Sequence, residues 1–174
     1  MAPEQRTAFP FPVPTVSAII ERQRGPLTEV LVQVRWKPQQ DPVYSGTFEI
    51  PAGGIELYES VYDALTREVF EETGLRVTGV RPDVRTKTYS HQGDDVFAFV
   101  PFCCQQQLSG RVKIGFVFVC TVEGTDPVPA RDEVQEILWL ERSALRRLIE
   151  ESPERVFPFQ VPVLEFYLRQ CTEA

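Results

Sequence analysis

Short runs rich in Val, Ile and Leu, set apart by glycine and proline, shape the first fifty residues of the chain. Residues 15–21 and 29–36 read as strands, and Arg24-Gly25-Pro26 between them reads as the turn of a hairpin-like pair. Residues 37–46 form a polar loop with Pro38 and Pro42. Residues 47–50 make a short strand that Pro51-Ala52-Gly53-Gly54 breaks. Residues 60–73 carry the strong helix signal of the first half, and Gly74 stands where a C-cap belongs. Residues 77–90 and 95–107 read as two strands around a Gly-Asp-Asp turn. Residues 113–122 are apolar on both faces, as a central strand should be. After a proline-rich loop at 124–131, residues 133–140 give a last strand. Ser143 is placed to cap a helix running to about Glu151, and residues 161–169 suit a short final helix. Alternate prolines in Phe9-Pro10-Phe11-Pro12-Val13-Pro14 exclude a helix there. Residues 1–14 therefore read as an extended arm and 15–174 as one α+β domain, a mixed sheet with helices packed on it.

One helix departs from ordinary surface patterning. At about 100° per residue, Glu68 and Glu72 fall within about 20° of Val61 on the wheel, and Glu71 flanks the same face. A surface helix usually turns its glutamates away from the apolar stripe; here two continue it. Glu68 with Glu71, and Glu68 with Glu72, are like-charge pairs, each unfavourable by about 0.2–0.5 kcal/mol in an isolated helix, and no lysine is interleaved. Carboxylates gathered at the edge of a core suit a divalent cation with oxygen ligands. Taken singly, each has a plainer reading: Glu71 and Glu72 as solvated charges, Gly53-Gly54 as a turn, Arg67 as half of a surface ion pair.

The charge balance points the same way. A net charge of −7 over 174 residues argues against a nucleic-acid polymer as partner. An acidic protein that takes a small phosphorylated ligand needs a cation between the two. The four cysteines show no metal spacing: Cys103 and Cys104 are adjacent and would face opposite sides of a strand, while Cys120 and Cys171 stand alone. They read as reduced, small apolar residues of a cytoplasmic protein. No segment is apolar enough to span a membrane, and residues 1–9 lack the apolar core of a signal peptide.

From Gly53 the chain runs five residues to Glu59, then seven more to Arg67-Glu68-Val69-Phe70-Glu71-Glu72-Thr73-Gly74-Leu75. This resembles the Nudix box, G-x5-E-x7-R-E-U-x-E-E-x-G-U, at every specified position; a chance match at one start is on the order of 10⁻¹⁰. The resemblance implies a Nudix-type α/β/α sandwich and hydrolysis of a diphosphate in a nucleotide-like substrate, with Mg²⁺ as cofactor and Mn²⁺ as a substitute. It further implies that Glu68, Glu71 and Glu72 bind the metal, joined by the Gly53 carbonyl, and that Glu59 and Arg67 pair to orient the helix that Gly74 ends. The general base stays open between a box glutamate and a later acid, Glu133 or Glu136, in the acidic segment before Trp139 that many Nudix proteins share.

Substrate contacts are less legible. Trp36, Trp139, Phe48 and Tyr89 offer aromatic faces for a base, although tryptophans of this kind are more often core, and His91 lies in a polar turn. The proline that some ADP-ribose hydrolases carry beyond the box and the coenzyme A motif are both missing. Two other readings compete: a non-catalytic Nudix module that senses nucleotides or binds protein, and an isoprenoid diphosphate isomerase, which a single histidine disfavours. Phe70, opposite the apolar stripe, and the proline-rich arm are compatible with a homodimer.

Overall fold

The computed structural model describes residues 11–110, 112–124 and 126–171. Strand β1 spans Val13–Arg24 and β2 Leu27–Arg35, joined through Gly25, whose φ of 61° suits a residue without Cβ. The first strand thus begins inside the segment expected to be an arm; residues 1–10 of that arm lie outside the described residues. Short strands β3 (Phe48–Glu49) and β4 (Ala52–Gly54) follow, then helix α1 (Val61–Thr73). Six strands come next: β5 (Arg76–Arg81), β6 (Val84–Arg85), β7 (Tyr89–His91), β8 (Asp94–Val96), β9 (Phe99–Val100) and β10 (Cys103–Gln106). The chain closes with β11 (Lys113–Glu123), β12 (Val134–Glu141), α2 (Arg142–Glu151), a 3₁₀ turn at Pro153–Arg155 and α3 (Val161–Gln170).

The main sheet has its backbone order β10-β11-β1-β2-β12, with β3 added to β2, β4 to β1 and β5 to β11. It is mixed: β1 and β11 run parallel from Val13↔Lys113 to Ile20↔Cys120, and the other ladders are antiparallel. Alternation along the strands divides the core in two. Val16, Ala18 and Ile20 of β1 join Leu31, Phe118 and Cys120 beneath Val61, Ala64, Leu65 and Val69 of α1. Ile19, Val30, Val32, Val117 and Val119 face the opposite way, under Leu145 and Ile149 of α2 and Leu164 and Tyr167 of α3. The result is a sheet with α1 on one side and α2 and α3 on the other. Among the described residues, no helix is long and apolar enough to cross a membrane.

Several expectations need correction. The Pro51–Gly54 break is itself a strand, with Gly53 opposite Val16 and Gly54 opposite Thr15. The two long strands expected over 77–107 are six short ones; Pro82 and Pro101, which lack the N–H a continuous ladder needs, stand at two of the breaks. The turn between β7 and β8 is Gln92-Gly93, both at positive φ (52° and 91°), with Asp94 and Asp95 in the strand and His91 at the end of β7. Ser143 does not cap α2: the helix starts two residues earlier, with Glu141 at the cap and no side-chain cap bond. Phe70 is half-exposed beneath Arg76, whose guanidinium carbon lies 5.4 Å from the ring centroid.

α1 meets its sequence signals at both ends. Ser60 Oγ accepts from Asp63 N at 3.1 Å, and Gly74, at φ 71°, donates its N–H to the Phe70 carbonyl at 2.8 Å. A Cβ on Gly74 would meet nothing nearer than 3.7 Å, so only the left-handed backbone resists substitution there. Gly74→Ala is therefore expected to lower stability by about 1 kcal/mol in a urea titration; no change in midpoint would count against the cap.

Candidate active site

The box helix sets the Glu68 carboxylate directly against Gly53 of β4. A Cβ on Gly53 would sit 1.9 Å from Cδ of Glu68, so only glycine leaves room for that carboxylate against the strand. Around this contact opens a polar cavity of about 520 Å³, lined by Ala52, Gly53, Gly54, Glu68, Glu71 and Glu72 on the box side. Lys37, Ala130, Asp132 and Glu133 complete it.

Arg67 ties the box together with all five of its N–H groups. Nε and Nη2 grip Glu59 at 2.8 and 2.9 Å, and Nη2 also donates to the Gly54 carbonyl at 2.9 Å. Nη1 donates to Glu68 at 2.8 Å and to Glu71 at 3.1 Å. These bonds, above all the one from Arg67, hold the Glu59 carboxyl down to about 2. The same carboxylates, Glu59 first, raise Arg67 further above its usual range. The like-charge pair Glu68–Glu71 thus shares one cation that the helix pattern, searched for lysines, did not display.

Glu72 is the unusual group. It is 4% exposed at the core edge. Its Oε2 accepts from Gln33 Nε2 at 2.9 Å and from Ala52 N at 3.1 Å, and it has no cationic partner among the described residues. Burial first, and then the nearby charge of Glu49, push its pKa up to about 8. Glu49 is itself buried and raised by desolvation, with Arg35 Nη1 at 3.2 Å opposing the shift. Gln33 bridges the two carboxyls, reaching Glu49 at 3.4 Å, while its own Oε1 is buried without a partner. Glu68 is raised as well, by burial against the pull of Arg67, with Glu71 and Glu133 adding to the rise.

A hard divalent cation fits this donor set. The donors are all oxygen and share one cavity, and for Glu68 and Glu72 burial disfavours the charged form in a way that such a charge would relieve. Among the described residues they do not already close on a common point as a ready-made metal cluster, because Arg67, Gln33 and Ala52 hold the carboxylates individually.

The other sequence candidates are dispersed. Glu133 lines the cavity; Glu136, exposed on β12 opposite Val34, does not. Trp139 packs with the α1-side core beneath Arg22, 4.1 Å from its ring centroid. Trp36 is 41% exposed outside the cavity lining. Phe48 packs on the opposite core under Arg155, and Tyr89 stacks on His91 in the exposed β7–β8 hairpin. Gln33, Glu49 and Lys37 were missed. Gln33 and Glu49 had a signal, each a polar residue interrupting an apolar strand run.

A Glu-bearing helix braced on a glycine strand, within a mixed sheet covered on both faces, defines a Nudix-type domain. Residues 11–160 match the NUDIX domain family, and the chain belongs to it. Nucleoside triphosphatase NudI of Enterobacter sp. (strain 638) is 30% identical over 113 residues, 61% of this chain and 70% of that protein. An octanoyltransferase of Myxococcus xanthus is 40% identical over 81 residues, 47% of this chain but only 21% of that longer protein. In fold, the NUDIX domain of Shewanella oneidensis NrtR, solved as a complex with ADP ribose, superposes with a TM-score of 0.63 at 14% identity, covering 98% of this chain and 96% of that one.

The raised Glu72 carboxyl carries a signed consequence. Folded near 8 and unfolded near 4.5, it keeps the folded state more protonated between those values, so this group makes stability fall as pH rises through that window. Glu72→Gln retains an Oε1 able to accept from Gln33 and Ala52. The metal-free variant is expected to melt at least about 3 °C above the parent at about pH 8.5, with the gap closing toward about pH 5. A gap independent of pH in differential scanning calorimetry would show that Glu72 ionises normally.

Proposed function

We propose that the chain is a cytoplasmic pyrophosphohydrolase that cleaves the diphosphate of a small nucleotide-like substrate, with Mg²⁺ or Mn²⁺ as cofactor. The substrate class is a nucleoside diphosphate joined to a further group, as in a nucleotide sugar, dinucleotide or nucleoside triphosphate. The observation that carries this reading is the set of three box carboxylates on one wall of a polar cavity, two of them, Glu68 and Glu72, buried so that their charged forms are disfavoured. Kinship with a nucleoside triphosphatase and a fold shared with an ADP-ribose-binding domain favour a nucleotide-like substrate.

Glu68, Glu71, Glu72 and the Gly53 carbonyl would hold the cation. When bound, it supplies neutralisation of the phosphate oxygens and polarisation of the phosphorus. The chain's own residues do the rest. Arg67 fixes Glu68 and Glu71 and the β4 backbone as one unit. Gln33 and the Ala52 N–H orient Glu72. Glu133, in the cavity near enough to raise the pKa of Glu68, takes the proton of the attacking water, a role that Glu136 on the exposed strand is less well placed to fill.

The test is phosphate release from a panel of nucleotide sugars, ADP-ribose, dinucleoside polyphosphates and nucleoside triphosphates, read with and without added phosphatase. Turnover of one class is expected, abolished by EDTA and lowered about a hundredfold or more by Glu72→Gln. Glu133→Gln is expected to lower kcat more than Glu136→Gln does, while leaving Mn²⁺ affinity in place. A folded protein that binds Mn²⁺ yet turns over nothing on the panel would overturn the hydrolase reading in favour of a binding module.

A further inference from the structure

Five carboxylates line the cavity, from Glu68, Glu71, Glu72, Asp132 and Glu133, and Lys37 is the one amine among the lining residues. The negative field suits a cation but opposes the diphosphate that must follow it. Arg67 lies close by but has no N–H to spare. Lys37 is therefore the side chain able to meet phosphate oxygens.

In the free protein that ammonium is already engaged, with Nζ 2.6 Å from Glu133 Oε2. The main chains on both sides are fastened independently. Trp36 N donates to the Glu133 carbonyl at 2.7 Å, Lys37 N to Ser45 Oγ at 3.1 Å, and Glu133 N to the Ala130 carbonyl at 2.9 Å. The ion pair is thus a side-chain latch that opens without moving either backbone.

We propose that Lys37 is the diphosphate-binding cation of this cavity and that Glu133 occupies it until substrate arrives. A phosphate oxygen replaces the carboxylate oxygen at Nζ, one charge-assisted bond for another. Glu133 is thereby released into the cavity beside Glu68, where the hydrolytic step calls for a proton acceptor. Substrate binding and availability of the base become a single exchange, and an empty site keeps its base masked. The proposal rests on the diphosphate-hydrolysis reading.

Isothermal titration of the full chain with the α,β-methylene analogue of ADP, in Mg²⁺, separates the two. Lys37→Met is expected to weaken binding about tenfold or more, Lys37→Arg to restore most of it, and Mn²⁺ affinity measured without nucleotide to stay unchanged. Lys37→Gln, checked by melting, guards against a folding defect in one variant. Wild-type binding matched within about twofold by Lys37→Met and Lys37→Gln would overturn the proposal and leave the hydrolase reading standing. A wild-type protein that binds neither this analogue nor any diphosphate of the substrate panel, and turns over none of them, would overturn both.

Discussion

Arg67 stands between the glycine strand and the box helix with each of its five N–H groups engaged, and the relative placement of Glu59, Glu68, Glu71 and the Gly54 carbonyl follows from that one guanidinium. A lysine there would offer three donors on a point charge and could not span the same fork. The contact between Gly53 and the Glu68 carboxylate depends on it too, since Arg67 holds Glu68 from above while the bare glycine backbone receives it from below. Loop, strand and helix are thus fixed to one another at the place where charge must be positioned.

Holding Glu72 within the core edge works against folding. A buried carboxyl without a cation is unfavourable in its charged form, and the structure answers with one amide donor from Gln33 and one backbone donor from Ala52. The remaining imbalance appears as the carboxyl's raised pKa. The burial that opposes the ionised carboxyl is the same feature that would favour a bound divalent ion, so binding energy and folding energy would be drawn from one set of contacts.

Much of the frame was legible because its signals are local. The Ser60 to Gly74 helix, the central β11 strand and the final helix follow from periodicity and caps. The cavity's box side followed from a helical face that broke the usual patterning. What escaped the reading is non-local. Arg67's hold on Glu68 and Glu71 was missed because it is an arginine one residue from the first and four from the second, not an interleaved lysine. The division of 76–106 into six short strands, with prolines at two of its breaks, is not registered by hydrophobicity alone. Lys37 and Glu133 meet across 96 positions of sequence, and only the pairing of β2 with β12 brings them together.

The buried carboxylates of the sheet differ in the countercharge that meets them. Glu21 and Glu29 are buried too, yet each is met by cations: Glu21 by Arg81 and Arg142, with the Tyr167 hydroxyl donating as well, and Glu29 by Arg22 and Arg24. Those pairs close locally, and for Glu29 the arginines win, lowering its pKa. Glu49 has Arg35 and is still raised, and Glu72 beside it has only neutral donors. Strand alternation places Glu21 on the α2–α3 side of the sheet, while Gln33 carries the contact to α1 on the other side. Burial alone therefore does not set Glu72 apart. What marks it is burial without matching countercharge, in a cavity open enough to admit that charge from outside.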